Sequence, residues 1–215
     1  MKNCVYIMMY FFCSLLFSCS DENKLTGSTF DKTFITGYLT PENIVAENID
    51  SEVRMTFKGK IDTSGETFDA LSQYYHDLSY NRYTVCGPRI AVNDSISKIE
   101  IKTVADFDAT HPAGSDITDL VACEYVSYYN YIQDGYKLSG AKRDWPQEWH
   151  EYSEIEGAEM NKKNLADISY DNTKLLAPNL MLKFKKHPSK SGEYSFNMII
   201  RFKERELSKT FKCVF

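Results

Sequence analysis

Aromatic rings with a polar tip crowd one stretch of this chain. Tyr125, Tyr128, Tyr129, Tyr131, Tyr136, Trp145 and Trp149 fall within twenty-five residues. Such rings stack on sugars and anchor protein partners, which makes Tyr128, Tyr131, Trp145 and Trp149 the candidate ligand-binding residues. Period-two alternation along residues 121–132 divides the tyrosines between two strand faces, so some of them belong to the core. Asp106, Asp108, Asp116 and Asp119 share a loop with Gly114. Hard cations take oxygens from short kinked segments of this kind, but the spacing is not that of an EF-hand, and no metal is assigned. His150-Glu151-x-x-Glu154 lacks the second histidine of H-E-x-x-H, so a solvated helix face is the expectation. The four histidines, His76, His111, His150 and His187, all sit in polar or turn settings. The sequence has no G-x-S-x-G, no Cys–His pair at a recognised spacing and no Gly-rich phosphate loop. No catalytic residue and no cofactor is assigned, and the balance is against an enzyme.

The N-terminus carries a different chemistry. Lys2 precedes thirteen uncharged, nearly all apolar residues, Val5 to Phe17. That is the length of a signal-peptide h-region and falls short of the roughly 20 residues that span a bilayer. No A-x-A cleavage site follows. The run ends instead in Leu16-Phe17-Ser18-Cys19, which resembles the bacterial lipobox. The resemblance implies that residues 1–18 are a lipoprotein signal peptide, that Cys19 is the lipidated residue, and that residues 19–33 are a lipidated tether. Each buried methylene contributes about 0.8 kcal/mol, so two or more acyl chains hold a protein stably on a membrane. Ser20-Asp21-Glu22-Asn23-Lys24 places acids directly behind the cysteine and resembles the surface-export signal of Bacteroidetes lipoproteins. It implies a lipid-anchored outer-membrane protein exposed at the cell surface.

Removal of residues 1–18 takes away Lys2 and no acid, leaving 24 bases against 30 acids. An acidic chain of this kind argues against nucleic acid as a partner. Beyond Cys19 the cysteines are Cys86, Cys123 and Cys213. In an oxidising envelope they give one disulfide and one spare thiol, or three buried thiols acting as small hydrophobes. No C-x-x-C points to zinc.

The elements that must position these residues are mostly short strands. Phe34 to Leu39 reads as a strand closed by Thr40-Pro41, and Val53, Met55 and Phe57 alternate with polar residues. Thr67 to Leu78 reads as a helix, with Ser64 or Thr67 as its cap. Arg82 to Val92 is a β-run broken by Cys86-Gly87-Pro88. Ile96 to Val104 alternates, Ala105 to Leu120 is a loop, and Val121 to Ile132 resumes as a strand. Residues 133–178 form an irregular, partly helical excursion, with Pro146 in a first helical turn and Gly157 weakening its middle. The runs Leu180–Phe184, Tyr194–Phe202 and Leu207–Phe215 then predict a three-stranded antiparallel meander. The expected fold is mainly β: residues 34–215 as a single antiparallel β-sandwich domain, immunoglobulin-like or similar, with short helical insertions.

The stretch Ile96 to Leu120, with its DFDATHPAGSDITDL segment, resembles the middle of a family of Bacteroidetes outer-membrane lipoproteins with the same type of signal peptide and a β-rich body. That resemblance implies no particular activity. Asp94-Ser95-Ile96 resembles the Asp-Ser/Thr-apolar pattern that receives O-glycans on exported proteins of that group, which makes Ser95 a candidate glycosylation site. The function expected is that of a surface-anchored, non-catalytic binding module for a glycan or an envelope protein. A structural or accessory subunit of an outer-membrane assembly is the alternative, and a hydrolase the third reading.

Overall fold

The computed structural model describes residues 29–84, 87–137, 145–153 and 155–215. Among them, eleven strands form three sheets. A two-stranded ribbon joins β1 (Thr29–Asp31) to β4 (Arg82–Thr84). A six-stranded sheet runs in the order β5 (Ile90–Val92), β2 (Gly37–Ile49), β3 (Glu52–Asp62), β9 (Leu176–Phe184), β7 (Val121–Ser127) and β8 (Glu159–Asn164). A three-stranded sheet places β10 (Glu193–Arg201) between β11 (Glu206–Val214) and β6 (Lys98–Thr103). All neighbouring pairs are antiparallel except β2 and β5.

Period-two alternation explains how the two larger sheets meet. Val53, Met55 and Phe57 of β3, Leu180 and Leu182 of β9, and Val121, Cys123 and Tyr125 of β7 bury one face of the six-stranded sheet. Ile99 and Ile101 of β6, Phe196, Met198 and Ile200 of β10, and Phe211 of β11 join the same cluster from the three-stranded sheet. The fold is therefore the mainly β, sandwich-like arrangement with short helices that the alternations predict. A second core lies on the opposite face of the larger sheet. There Tyr38, Ala91, Val126, Ala177 and Met181 pack beneath helices and loops rich in aromatic rings. β7 is covered on both faces and is buried at every residue. Strands buried twice lose their polar alternation.

Several sequence expectations are corrected. The first strand does not stop at Thr40-Pro41. β2 continues to Ile49 through a bulge between Pro41 and Asn43. β5 pairs only with Gly37 to Leu39, so Pro41 sits where one side of β2 is an edge, and a missing N–H is tolerated there. Residues 19–33 are not tether throughout, because β1 begins at Thr29. The first helix, α1, spans Glu66–Tyr74 with Gly65 at its N-cap and no side-chain cap from Ser64 or Thr67. A Schellman motif ends it before Leu78: the His76 amide donates to the Gln73 carbonyl (3.2 Å), the Asp77 amide to that of Ser72 (2.8 Å), and His76 takes φ +60°.

The strand expected over Val121–Ile132 ends at Ser127, and Tyr129–Gln133 form a short helix, α2. The C-terminal meander does not form, because β9 lies in the larger sheet and β10 pairs instead with β6. Apolar residues on both faces of β9 suit it to the middle of a doubly covered sheet rather than to a wet one. Within residues 133–178, Pro146 precedes a 3-10 turn at Gln147–Trp149 and a helix, α3, at His150–Ser153. Gly157 holds φ +77°, and a Cβ there would lie 2.1 Å from Cδ1 of Tyr131. Close approach to that ring requires glycine at this position.

Candidate ligand groove and aromatic ribbon

The four candidate binding rings are core. Tyr128, Tyr131, Trp145 and Trp149 are 1, 6, 9 and 1 % exposed. Phe34 packs edge-on against Tyr128 and Tyr131 at ring-centroid separations of 5.6 and 5.0 Å. The outer face of a twice-covered sheet needs a large apolar lid, and these rings supply it rather than an open platform. Ser95, the candidate glycosylation site, is buried in the folded chain, at 7 % exposure.

Three of the four carboxylates of the acidic loop accept from the loop's own backbone. Asp106 accepts from the Ala113 amide, Asp108 from those of Thr110 and His111, and Asp116 from that of Thr118. Among the described residues no group of three or more His, Cys, Asp or Glu could hold a metal ion. Glu151 accepts from Asn179, while Glu154 lies outside the described residues, as do Cys19 and Cys86. Cys123 and Cys213 are free thiols in the core. Burial raises both, Cys213 to about 11, which keeps them protonated.

The open part of the larger sheet's outer face carries charge. Cross-strand register sets Glu52 beside Lys183, Ala122 between Lys183 and Asn164, and Glu124 beside Lys162. Glu124, 5 % exposed, pairs with Lys162 at 2.9 Å and Lys183 at 3.0 Å. Lys183 also reaches Glu52 at 3.0 Å. Next to this ladder lies a groove of about 420 Å³, lined by Lys162, Lys163, Lys183, Lys185, Asn164 and Phe184, with Asp167 its one carboxylate. Lys185 donates to Asn164 Oδ1 at 3.2 Å. Lys163 and Lys185 have no carboxylate partner among the described residues. An acidic chain thus concentrates four ammonium groups around one partly apolar hollow, and hydrogen bonds or ion pairs hold three of them in place. The period-two placement of Lys183 and Lys185 is visible in the sequence. Their meeting with Lys162 and Lys163 depends on the β7–β8–β9 register, which it does not reveal.

Burial would raise the Glu124 carboxyl, but the two ammonium groups outweigh it and hold it below the usual range. A depressed carboxyl contributes stability above its unfolded pKa, about 4.3, and loses it as pH falls through the lower folded value. Glu124→Gln is therefore expected to cost about 1–2 kcal/mol at pH 7. The deficit should shrink progressively below about pH 4. Urea unfolding of both proteins at pH 7 and pH 3 checks this.

The second exposed feature is the ribbon. Phe30 and Tyr83 face each other across it, 49 and 73 % exposed, with ring centroids 5.1 Å apart in an edge-to-face pair. Its inner face is locked down. Arg89, 2 % exposed, ion-pairs with Asp31 at 2.5 Å and donates to Thr84 Oγ1 and the Phe34 carbonyl. Its guanidinium lies 5.1 Å from the Phe34 ring centroid and 5.5 Å from that of Tyr80. Arg82 reaches Glu156, the Tyr131 hydroxyl and the Tyr136 carbonyl. These contacts lie where β7 ends and β8 begins, whereas the groove lies at the opposite ends of β7, β8 and β9. Six residue steps along β7 put about 20 Å between the two poles. No protein-family model, no curated protein and no solved structure matches this chain.

Proposed function

We propose that this chain is a surface-exposed envelope lipoprotein, anchored in the outer membrane through acyl chains on Cys19, and that it works as a non-catalytic binding module. The lysine groove takes the ligand, a glycan bearing carboxylates. The observation that carries the reading is the convergence of Lys162, Lys163, Lys183 and Lys185 around Phe184, on a chain whose formal charge is −5. Ammonium groups attract the carboxylates, and the ring beneath offers an apolar surface to a sugar face. The groove's place about 20 Å from the pole where β1 enters suits a protein that holds its ligand away from its anchor.

Titration of the chain from Ser20 onward with oligogalacturonate and with a neutral oligosaccharide tests this. Saturable binding of the acidic sugar alone is expected, weakening several-fold between roughly 0.05 and 0.5 M salt, because exposed charges are screened. Lys163→Ala with Lys185→Ala should abolish it without lowering stability, since neither lysine pairs with Glu124. Binding that ignores salt and both lysines, or no binding at all, would reject the groove as the ligand site.

A further inference from the structure

We infer that the Phe30–Tyr83 face of the ribbon docks on the lipid surface that holds the anchor, making a second membrane contact that orients the body. The inference rests on the lipid-anchor reading at Cys19 and adds a site that it does not require. Aromatic residues left exposed in a directly opposed pair are unusual on a strand ribbon whose other face is fully engaged. Phe30 and Tyr83 point outward because Asp31, Arg82 and Thr84 are committed to Arg89, Glu156 and one another on the inner side.

Chain length selects the occupant. Thr29 lies ten residue steps beyond Cys19, so even a fully extended tether keeps β1 within about 35 Å of the acylated cysteine. The ribbon is the first described element after it and cannot leave the membrane's neighbourhood. Rings with an apolar body and, in tyrosine, a polar tip settle at the headgroup level. Lys32 follows β1 directly and is exposed, a cation placed for anionic headgroups. Acyl chains hold a protein at the surface without fixing its orientation, so an additional contact limits tumbling. With the ribbon down, the lysine groove at the far ends of β7, β8 and β9 faces away from the membrane.

The test uses the full-length lipidated protein in vesicles that contain brominated acyl chains, with Tyr83→Trp as the reporter. Trp145 and Trp149, being buried, give a constant background. A fall of about twofold in the emission of the introduced indole relative to unbrominated vesicles is expected, and Phe30→Ser should largely abolish it. A parallel arm holds the chain from Ser20 onward on nickel-chelating lipid through an N-terminal histidine tag, which fixes the tether whatever the state of Cys19. Quenching in that arm supports docking even if mass spectrometry finds Cys19 unacylated, in which case the anchor reading alone fails. Absence of quenching in both arms overturns the inference. So does a reporter indole shielded from iodide in the whole envelope yet unquenched by bromine, which would mean that a protein covers the ribbon.

Discussion

Asp77→Ala is expected to destabilise the fold by about 4 kcal/mol, the largest effect of any single polar substitution proposed for this chain. Asp77 is 0 % exposed. Its Oδ1 accepts from the Phe34 amide at 2.7 Å and the Tyr136 hydroxyl at 2.9 Å, and its Oδ2 from the Ile35 amide at 2.8 Å. Alanine would leave two buried amides without partners and the Tyr136 hydroxyl without its acceptor, although that oxygen still accepts from the Ser79 amide; each lost bond costs about 1–3 kcal/mol, less what is recovered by no longer burying a carboxylate. Asp77→Asn separates hydrogen bonding from packing. Its carbonyl can keep the two bonds to Oδ1, while its NH2 faces the Ile35 amide donor, so a loss of about 2 kcal/mol is expected. Urea unfolding at pH 7 reads both. Equal losses for the two variants would contradict the account, because the two bonds to Oδ1 that asparagine retains would then contribute nothing to stability.

Arg89→Met is expected to cost about 3 kcal/mol, and to act first on the ribbon. Methionine can fill the space between the Phe34 and Tyr80 rings, but it leaves Asp31 without its guanidinium and the Phe34 carbonyl without its donor. Arg89→Lys keeps the charge and loses the planar fork that reaches Asp31, Thr84 and Phe34 together, so a smaller cost of about 1–2 kcal/mol follows. Because the ribbon is only three residues on each strand, its attachment depends on this network more than on its own pairing. Hydrogen exchange should therefore accelerate at Thr29–Asp31 and Arg82–Thr84 before it does in β3 or β9. Uniform acceleration across all strands would show that Arg89 stabilises the body as a whole instead.

These two residues also mark where sequence reading reaches its limit. Strands β3, β6, β10 and β11 are legible because one face of each meets the sandwich core and the other meets water, so Val53-Met55-Phe57 or Phe196-Met198-Ile200 announce themselves by alternation. β7 is legible as a strand, but not where it ends, since Tyr128 and Tyr131 continue an apolar run that serves a second core. That second core is also why pattern alone misplaces the candidate binding rings. Tyrosine and tryptophan look alike in sequence whether they face sugar or another ring. The lysines are visible one pair at a time, and only the pairing of β8 with β7 and of β7 with β9 brings them together. Asp77 and Arg89 give no signal at all. Apart from Thr84, their partners lie 42 to 59 residues away, beyond any local pattern.

The most direct measurement of the central claim is the map of backbone amide shifts as trigalacturonate is titrated into the isotopically labelled chain from Ser20 onward. Saturable shifts confined to Ala122, Lys162, Lys163, Asn164, Lys183 and Lys185, with Phe30 and Tyr83 unmoved, are the predicted result. Shifts centred on the ribbon or on α1, or none anywhere, would contradict the groove as the ligand site and with it this account of what the protein binds.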